Sequence, residues 1–385
     1  MTVIQAGRSS LLQLSLVLWA CGPTMNDRIP TRSERARAYL DALVADSRTP
    51  GIQYLVVDST RVVFEYDGGW ADLARRRPMD SATTMMAYSM SKTITAAAVL
   101  QLVEAGKVGL DSPIVRYVDA IPYGSTITVR ELLAHTSGIP NPIPLRWVHP
   151  AAQHATFDEG PALAEVMQRH GALAFTPGSK YAYSNIGYWL LGRIVERAGG
   201  APFPEYVTAH LLRPLGLMPL DLGYTISDPA RHATGYLEKY SLTNLAKRFL
   251  IDPALIGEYD GRWLSIRSHY VNGAAFGGLV GTARGFGRFL QDQLLSHSRL
   301  FSDSTRALFY EPQHTRGGTP IAMTLGWHIE SNAGARFYYK EGGGGGFHNM
   351  MRLYPDQGVA TVMLTNATGS NVKTWLNDLD AQFLR

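Results

Sequence analysis

Ser89 and Lys92 stand three residues apart in the stretch YSMSKTITAAAVLQLVEAGKV (88–108). A hydroxyl is a weak nucleophile by itself, and a lysine at its ordinary pKa is a poor base near neutrality. On a helix, residues three apart share a face. Ser89 is expected in the first turn, where free N–H groups and the helix dipole favour negative charge. Ile94, Ala96, Ala97, Ala98, Val99 and Leu100 follow, so the helix is expected to be buried. Burial pushes a lysine toward its neutral amine, and such an amine can take the proton of a hydroxyl one turn away. The pair points to a serine nucleophile activated by a lysine. The spacing alone also fits an N-cap serine with a lysine reaching for solvent. Ser370 and Lys373 repeat it near a second helix start.

Two further stretches add polar groups at the edges of apolar elements. FTPGSKYAYSNIGYWLLGRIVE (175–196) sets Tyr183, Ser184 and Asn185 directly before an apolar helix, with Tyr181 as a rival phenol. Asn185 also suits the cap of that helix. FYYKEGGGGGF (337–347) reads as a strand ending in Lys340, Glu341 and Gly342. A lysine there could be an edge-strand charge resisting aggregation. The glycines allow a substrate to approach the backbone closely.

In that order, Ser-x-x-Lys, Tyr-x-Asn and Lys-x-Gly resemble the motif set of the serine β-lactamase and penicillin-binding-protein superfamily. The Tyr-x-Asn form is similar to class C β-lactamases and family VIII carboxylesterases. LLAHTSGI (132–139), GGLVGTARGFGRF (277–289) and LGW (325–327) are similar to further family segments, and the resemblance runs from about residue 32 to the C-terminus. It implies that Ser89 is acylated, that Lys92 activates it and that Tyr183 is the general base. It implies that Asn185 and Lys340 support the substrate. The backbone N–H groups of Ser89 and Gly343, beside Gly342, would form the oxyanion hole. No metal or other cofactor is required. His135 and His348 invite a serine–histidine scheme, but the superfamily does not need one, and both are expected to be structural.

The middle position of the third motif is usually Thr or Ser in β-lactamases, where its hydroxyl helps hold the antibiotic's carboxylate. Here it is Glu341. A carboxylate would repel an anionic substrate and offset the field of Lys340. The resemblance therefore implies a carboxylesterase for small esters. A class C-type β-lactamase and a D-peptide hydrolase are the alternatives, and a catalytically silent penicillin-binding-like protein is a remoter one. An ordinary α/β-hydrolase would need a G-x-S-x-G elbow, which the chain lacks.

The elements that must position these groups follow from patterning. Residues 31–47 read as a helix, opened by a Thr31/Glu34 capping box. IQYLVVD and RVVFEYD read as a hairpin. Helices are expected near 90–105, 128–135, 162–170, 184–199, 204–215, 283–295 and 370–384. Strands are expected at IAMTLGWHI, ARFYYKE, FHNMMRLYP and GVATVMLTN. The order predicts an α+β fold with one antiparallel sheet built from both chain ends (31–75 and 320–385), flanked by helices. A mostly helical lobe (76–319) is inserted, as in the β-lactamase/transpeptidase architecture, with the active site in the cleft between lobes. Trp147, Trp263, Tyr270 and Phe276 are candidate wall residues from the loops 140–160 and 220–275.

Composition agrees with an enzyme of this size. The chain has 385 residues, 45% hydrophobic and 18% charged, with a formal net charge of +4. Its one dense basic run, Arg75–Arg77 before Pro78, suits a solvated loop, and nothing suggests a nucleic-acid partner. The expected partner is a small ester, amide or β-lactam; oligomeric state is left open. The single cysteine, Cys21, cannot form an internal disulfide or a zinc site alone. Residues 1–30 are expected to be a leader or disordered. Arg8 precedes the apolar run LLQLSLVLWA ending before Cys21, which favours a secretory or lipoprotein signal with a lipid on Cys21 as the only membrane link. Translation from Met25 would instead leave a cytoplasmic protein.

Overall fold

Gly51–Val57, from one end of the chain, pairs antiparallel with Val359–Thr365, from the other, with Ile52 opposite Thr365 and Val57 opposite Ala360. This pairing sits inside a seven-stranded sheet. Its order is His328–Asn332, Ala335–Gly344, Phe347–Tyr354, Val359–Thr365, Gly51–Val57, Val62–Asp72 and Arg77–Pro78. The structure, a computed structural model, describes residues 2, 30–143, 147–247 and 251–384. The apolar run 11–20 and Cys21 lie outside the described residues. The chain divides into the units Met1–Thr31 and Arg32–Arg385, and all that follows concerns the second.

Every residue of Gly51–Val57 is buried, because both faces of the sheet are covered. Alternation along the strand sends Ile52, Tyr54 and Val56 to one face and Leu55 and Val57 to the other. The first set joins Ala36 and Leu40 of helix Arg32–Ala45 and Trp375, Leu376 and Leu379 of helix Val372–Asp380. The second joins Phe286, Phe289 and Leu290 of helix Ala283–Leu294. A fully buried ion pair pins the last helix: Arg352 Nη1 donates to Asp380 Oδ2 at 3.2 Å. Tyr54, Tyr354 and Thr361 donate their hydroxyls to the same carboxylate. With every acceptor engaged, the charge is tolerable without water.

Between the two sheet-forming ends, helix Ser91–Glu104 is buried along its first ten residues. It is mostly apolar around its circumference because helices Asn185–Gly199 and Ala274–Gly277 cover it. The same region holds three small sheets that the patterning missed. They pair Val280–Gly281 with Met85–Met86 and Leu222–Gly223, Val148–Pro150 with His269–Val271, and Trp263–Ile266 with Gly235–Glu238 and Ile256–Asp260. Strands of two to five residues carry too few alternations to be read. Helix Asp303–Tyr310 was also missed. The expected strand at 321–329 forms only from His328. Gly326 adopts φ +109°, and Thr324 N–H donates to the Trp327 carbonyl at 2.8 Å, so LGW is a turn. Among the described residues, no helix is long and apolar enough to cross a membrane.

Candidate active site

Ser89 lies in the 3-10 turn Tyr88–Met90 that runs straight into helix Ser91–Glu104. Its side chain stays partly accessible, whereas Lys92, one turn on, has no exposed surface. Lys92 Nζ is 3.0 Å from Ser89 Oγ, 2.8 Å from Asn185 Oδ1 and 2.6 Å from the Phe276 carbonyl. Tyr183 OH reaches Ser89 Oγ from another side at 2.9 Å. Pieces of chain about ninety residues apart thus converge on one hydroxyl oxygen.

The helix Asn185–Gly199 places two of these groups. Its N-cap is Ser184, whose Oγ accepts from Gly187 N–H, so the capping role considered for Asn185 belongs to its neighbour. Asn185 is freed to face Lys92. Tyr183 sits just ahead of the cap and is braced by His135, whose ring centroid is 4.3 Å away. His135 holds φ +56° and accepts the Ser184 N–H at Nδ1, 3.1 Å. Its proton is therefore on Nε2, which has no hydrogen-bond partner among the described residues. Tyr181 points elsewhere: its OH is 3.3 Å from His328 Nε2. His328, which the sequence did not single out, also stacks its ring near Tyr183 and Tyr339.

Lys340 enters from the sheet. It is fully buried, with no hydrogen-bond partner among the described residues, and its Nζ lies 5.2 Å from the Tyr183 ring centroid. Its neighbour Glu341 contacts His348 Nε2 on the adjacent strand at 2.5 Å. Successive strand residues face opposite sides, so the Glu341 carboxylate turns to His348 rather than to Lys340, although its charge still helps to raise the Tyr183 phenol. Burial alone pushes Lys340 down to about 7. The His348 contact holds Glu341 below the usual carboxylate range, against its burial.

Beyond Lys340 the glycines continue the strand to Gly344 rather than forming a loose turn. Pairing with His328–Asn332 ends at Tyr339, so that edge of Gly342–Gly344 is left without a strand partner. It lies against the turn that carries Ser89. A Cβ at position 342 would come within 2.1 Å of the Ala87 carbonyl and 3.0 Å of Ser89 N, so only glycine permits the approach. Gly343 and Ser89 line one cavity of about 240 Å³. Trp147 and Phe276 line it as expected, whereas Trp263 and Tyr270 do not. Trp263 packs with Tyr236, and Tyr270 OH accepts from Ile226 N–H.

The protons follow from burial. Burial, reinforced by Lys340, lowers Lys92 well below an ordinary lysine. Burial raises the Tyr183 phenol, and the Ser89 contact offsets this only in part. A neutral amine has two N–H donors and one lone pair. Phe276 O and Asn185 Oδ1 take the two donors, which leaves the lone pair for the Ser89 proton. Both shifts favour amine plus phenol over ammonium plus phenolate at rest.

Ser370 and Lys373 do not meet. Ser370 Oγ donates to the Ala367 carbonyl, and Lys373 Nζ pairs with Glu330 at 2.7 Å on the surface. No group of acidic, histidine or cysteine side chains able to hold a metal occurs among the described residues.

Residues 36–382 match the family model described as Beta-lactamase. The chain is 24% identical over 318 residues to penicillin-binding protein 4* of Bacillus subtilis, covering 81% of this chain and 67% of that protein. It is 31% identical over 215 residues to esterase EstB of Burkholderia gladioli, covering 52% of this chain and about half, 54%, of that one. D-amino acid amidase from Ochrobactrum anthropi SV3, in complex with L-phenylalanine amide, superposes with a TM-score of 0.77 at 22% identity. That match covers 91% of this chain and 98% of the amidase. Likeness at that identity speaks to the fold alone.

Proposed function

Because the chain belongs to the β-lactamase family of serine hydrolases, we propose that it is a carboxylesterase for small neutral esters, working through an acyl-enzyme on Ser89. One observation carries this reading. The cavity that opens onto Ser89 is walled by Ile143, Trp147, Val148, Leu255, Ile266 and Val271, and no charged side chain lies among its described lining residues. A β-lactam brings a carboxylate and a D-amino-acid amide an ammonium, and neither finds a charged partner for its desolvated charge among the described lining residues. An ester with an apolar acyl group carries neither charge. The esterase among the similar proteins agrees with this choice, and a D-aminopeptidase of Cereibacter sphaeroides, 30% identical over 200 residues, keeps amides as the rival class.

In this reading the Lys92 amine takes the Ser89 proton as Oγ attacks the ester carbonyl. The resemblance implies Tyr183 as the base; the lowered Lys92 amine and the raised Tyr183 phenol support Lys92 in that role instead. The negative charge on the carbonyl oxygen is met by the N–H groups of Ser89 and Gly343. Tyr183, a neutral phenol beside Oγ, passes a proton to the departing alkoxide and is reprotonated from Lys92. Water then attacks the acyl-enzyme by the same route in reverse. Substrate arrives along the seam between the sheet lobe (31–75 and 320–385) and the helical lobe (76–319).

A panel of p-nitrophenyl esters, nitrocefin and a D-alanyl amide tests the proposal. Short esters should be turned over fastest, with the Ser89→Ala variant inactive. Nitrocefin or the amide hydrolysed faster than every ester would replace this reading with the β-lactamase or D-peptide one.

A further inference from the structure

Tyr88, the residue before the nucleophile, adopts φ +47°. This left-handed conformation is unfavourable for any residue with a Cβ, so surrounding contacts must hold it. The ring lies across the glycine strand: a Cβ on Gly344 would sit 2.3 Å from Tyr88 Cε1. The buried phenol oxygen is 2.9 Å from the Gly345 carbonyl and 2.9 Å from His269 Nε2. His269 Nδ1 is 2.9 Å from the Arg267 carbonyl, which can only accept, so Nδ1 carries a proton. Tyr88 therefore ties together the turn bearing Ser89, the hairpin turn after Gly343 and the strand His269–Val271. Tyr88, Ser89, Gly343, Gly345 and His269 all line the one cavity.

We propose that Tyr88 and His269 are positioning residues that lock the Ser89 turn against the glycine strand, so that the Ser89 and Gly343 N–H groups converge on one carbonyl oxygen. The two N–H groups belong to segments about 250 residues apart, and backbone pairing between strands does not join them. The phenol supplies the missing link. The one phenol proton of Tyr88 is shared between two acceptors, the Gly345 carbonyl and Nε2 of a neutral His269, each 2.9 Å from its oxygen. The proposal rests on Ser89 being the nucleophile.

Tyr88→Phe keeps the ring and removes the oxygen. It should lower kcat on a p-nitrophenyl ester about ten- to a hundredfold, the scale of a sub-ångström misplacement at a reacting centre, with KM within about threefold. His269→Leu should do the same, and His269→Gln, whose amide can still meet the phenol, should recover most of the rate. The Tyr88→Phe/His269→Leu double variant should lose no more than the worse single variant, because both remove one link. Thermal melts identify any variant that fails to fold; if Tyr88→Phe does, the His269→Leu and His269→Gln pair decides. Unchanged kcat in folded Tyr88→Phe, a change confined to KM, or fully additive losses would each overturn the proposal. Fluorophosphonate labelling keeps the two readings apart. Wild type unlabelled at Ser89 sinks the nucleophile assignment, whereas wild type and Tyr88→Phe labelled at equal rates sinks only the clamp.

Discussion

The chain contains the same four-residue spacing twice, and the two copies behave differently. Ser89 and Lys92 lie 3.0 Å apart beneath a phenol and an amide. Ser370 and Lys373 each bond to something else, the Ala367 carbonyl and Glu330. Both copies stand at a helix start. The difference is burial: Lys92 has no exposed surface, while the Lys373 side chain is 48% exposed. Solvent lets Lys373 keep its charge at little cost and pair on the surface. A buried amine has only internal groups to bond to, and those offered to Lys92, Asn185 Oδ1 and the Phe276 carbonyl, leave one direction open, toward the hydroxyl. Spacing brings a serine and a lysine within reach; desolvation turns the pair into a nucleophile and its base.

The comparison breaks most directly at the serines. Ser89→Ala should lower kcat/KM on a p-nitrophenyl ester about 10³-fold or more, while Ser370→Ala should leave turnover unchanged and cost about 1 kcal/mol of stability from its lost hydrogen bond. Equal losses in the two variants would end the distinction. At the lysines, Lys92→Met should cost about 10²–10⁴-fold in kcat. Lys373→Met removes a surface ion pair, and the melting curve should shift by no more than about 1 kcal/mol.

The pH profile sharpens the reason. Lys92 works as the neutral amine, so kcat/KM should rise with pH through its depressed pKa and then level. The raised Tyr183 phenol gives no falling limb below pH about 10. A rate that instead falls as pH rises through neutrality would mean that the ammonium is the working form.

Lys340 extends the comparison to a buried lysine with no hydrogen-bond partner among the described residues. Its pKa is about 7 in the fold against 10.5 ordinarily. Between these values the unfolded chain binds a proton that the folded chain does not, so stability should rise with pH across that window. Lys340→Met should therefore stabilise the protein below pH 7 by something on the order of a few kcal/mol. That gain should shrink as pH approaches 10.5, as urea melts at several pH values would read. The smallest expected effect is at Glu341. Glu341→Thr removes the carboxylate that contacts His348 and should raise nitrocefin turnover about two- to tenfold, as expected when a repelling charge of about 1 kcal/mol is lifted.

Much of this was legible in advance because it is local. The long alternating strands at both chain ends and the apolar helices at 91–104 and 185–199 formed near their expected positions, since each carries several repeats of its period. The fragments at 85–86, 148–150 and 280–281 could not be read, because their pairing partners lie far away in sequence and supply the only reason for them to extend. Asn185 was ambiguous between cap and ligand until Ser184 was seen to take the cap. His328 gave no signal, since its place beside Tyr183 and Tyr181 depends on where the sheet edge falls.

The amino-acid sequence alone determined which groups could react: a serine one turn from a lysine, a phenol before a helix and a lysine on a strand running into glycine. Tertiary structure decided which of them share a site, which way Glu341 faces and where the protons rest. Those outcomes hang on burial and on contacts between residues far apart in the chain. Desolvation depends on everything packed around a group, and no window of sequence contains that.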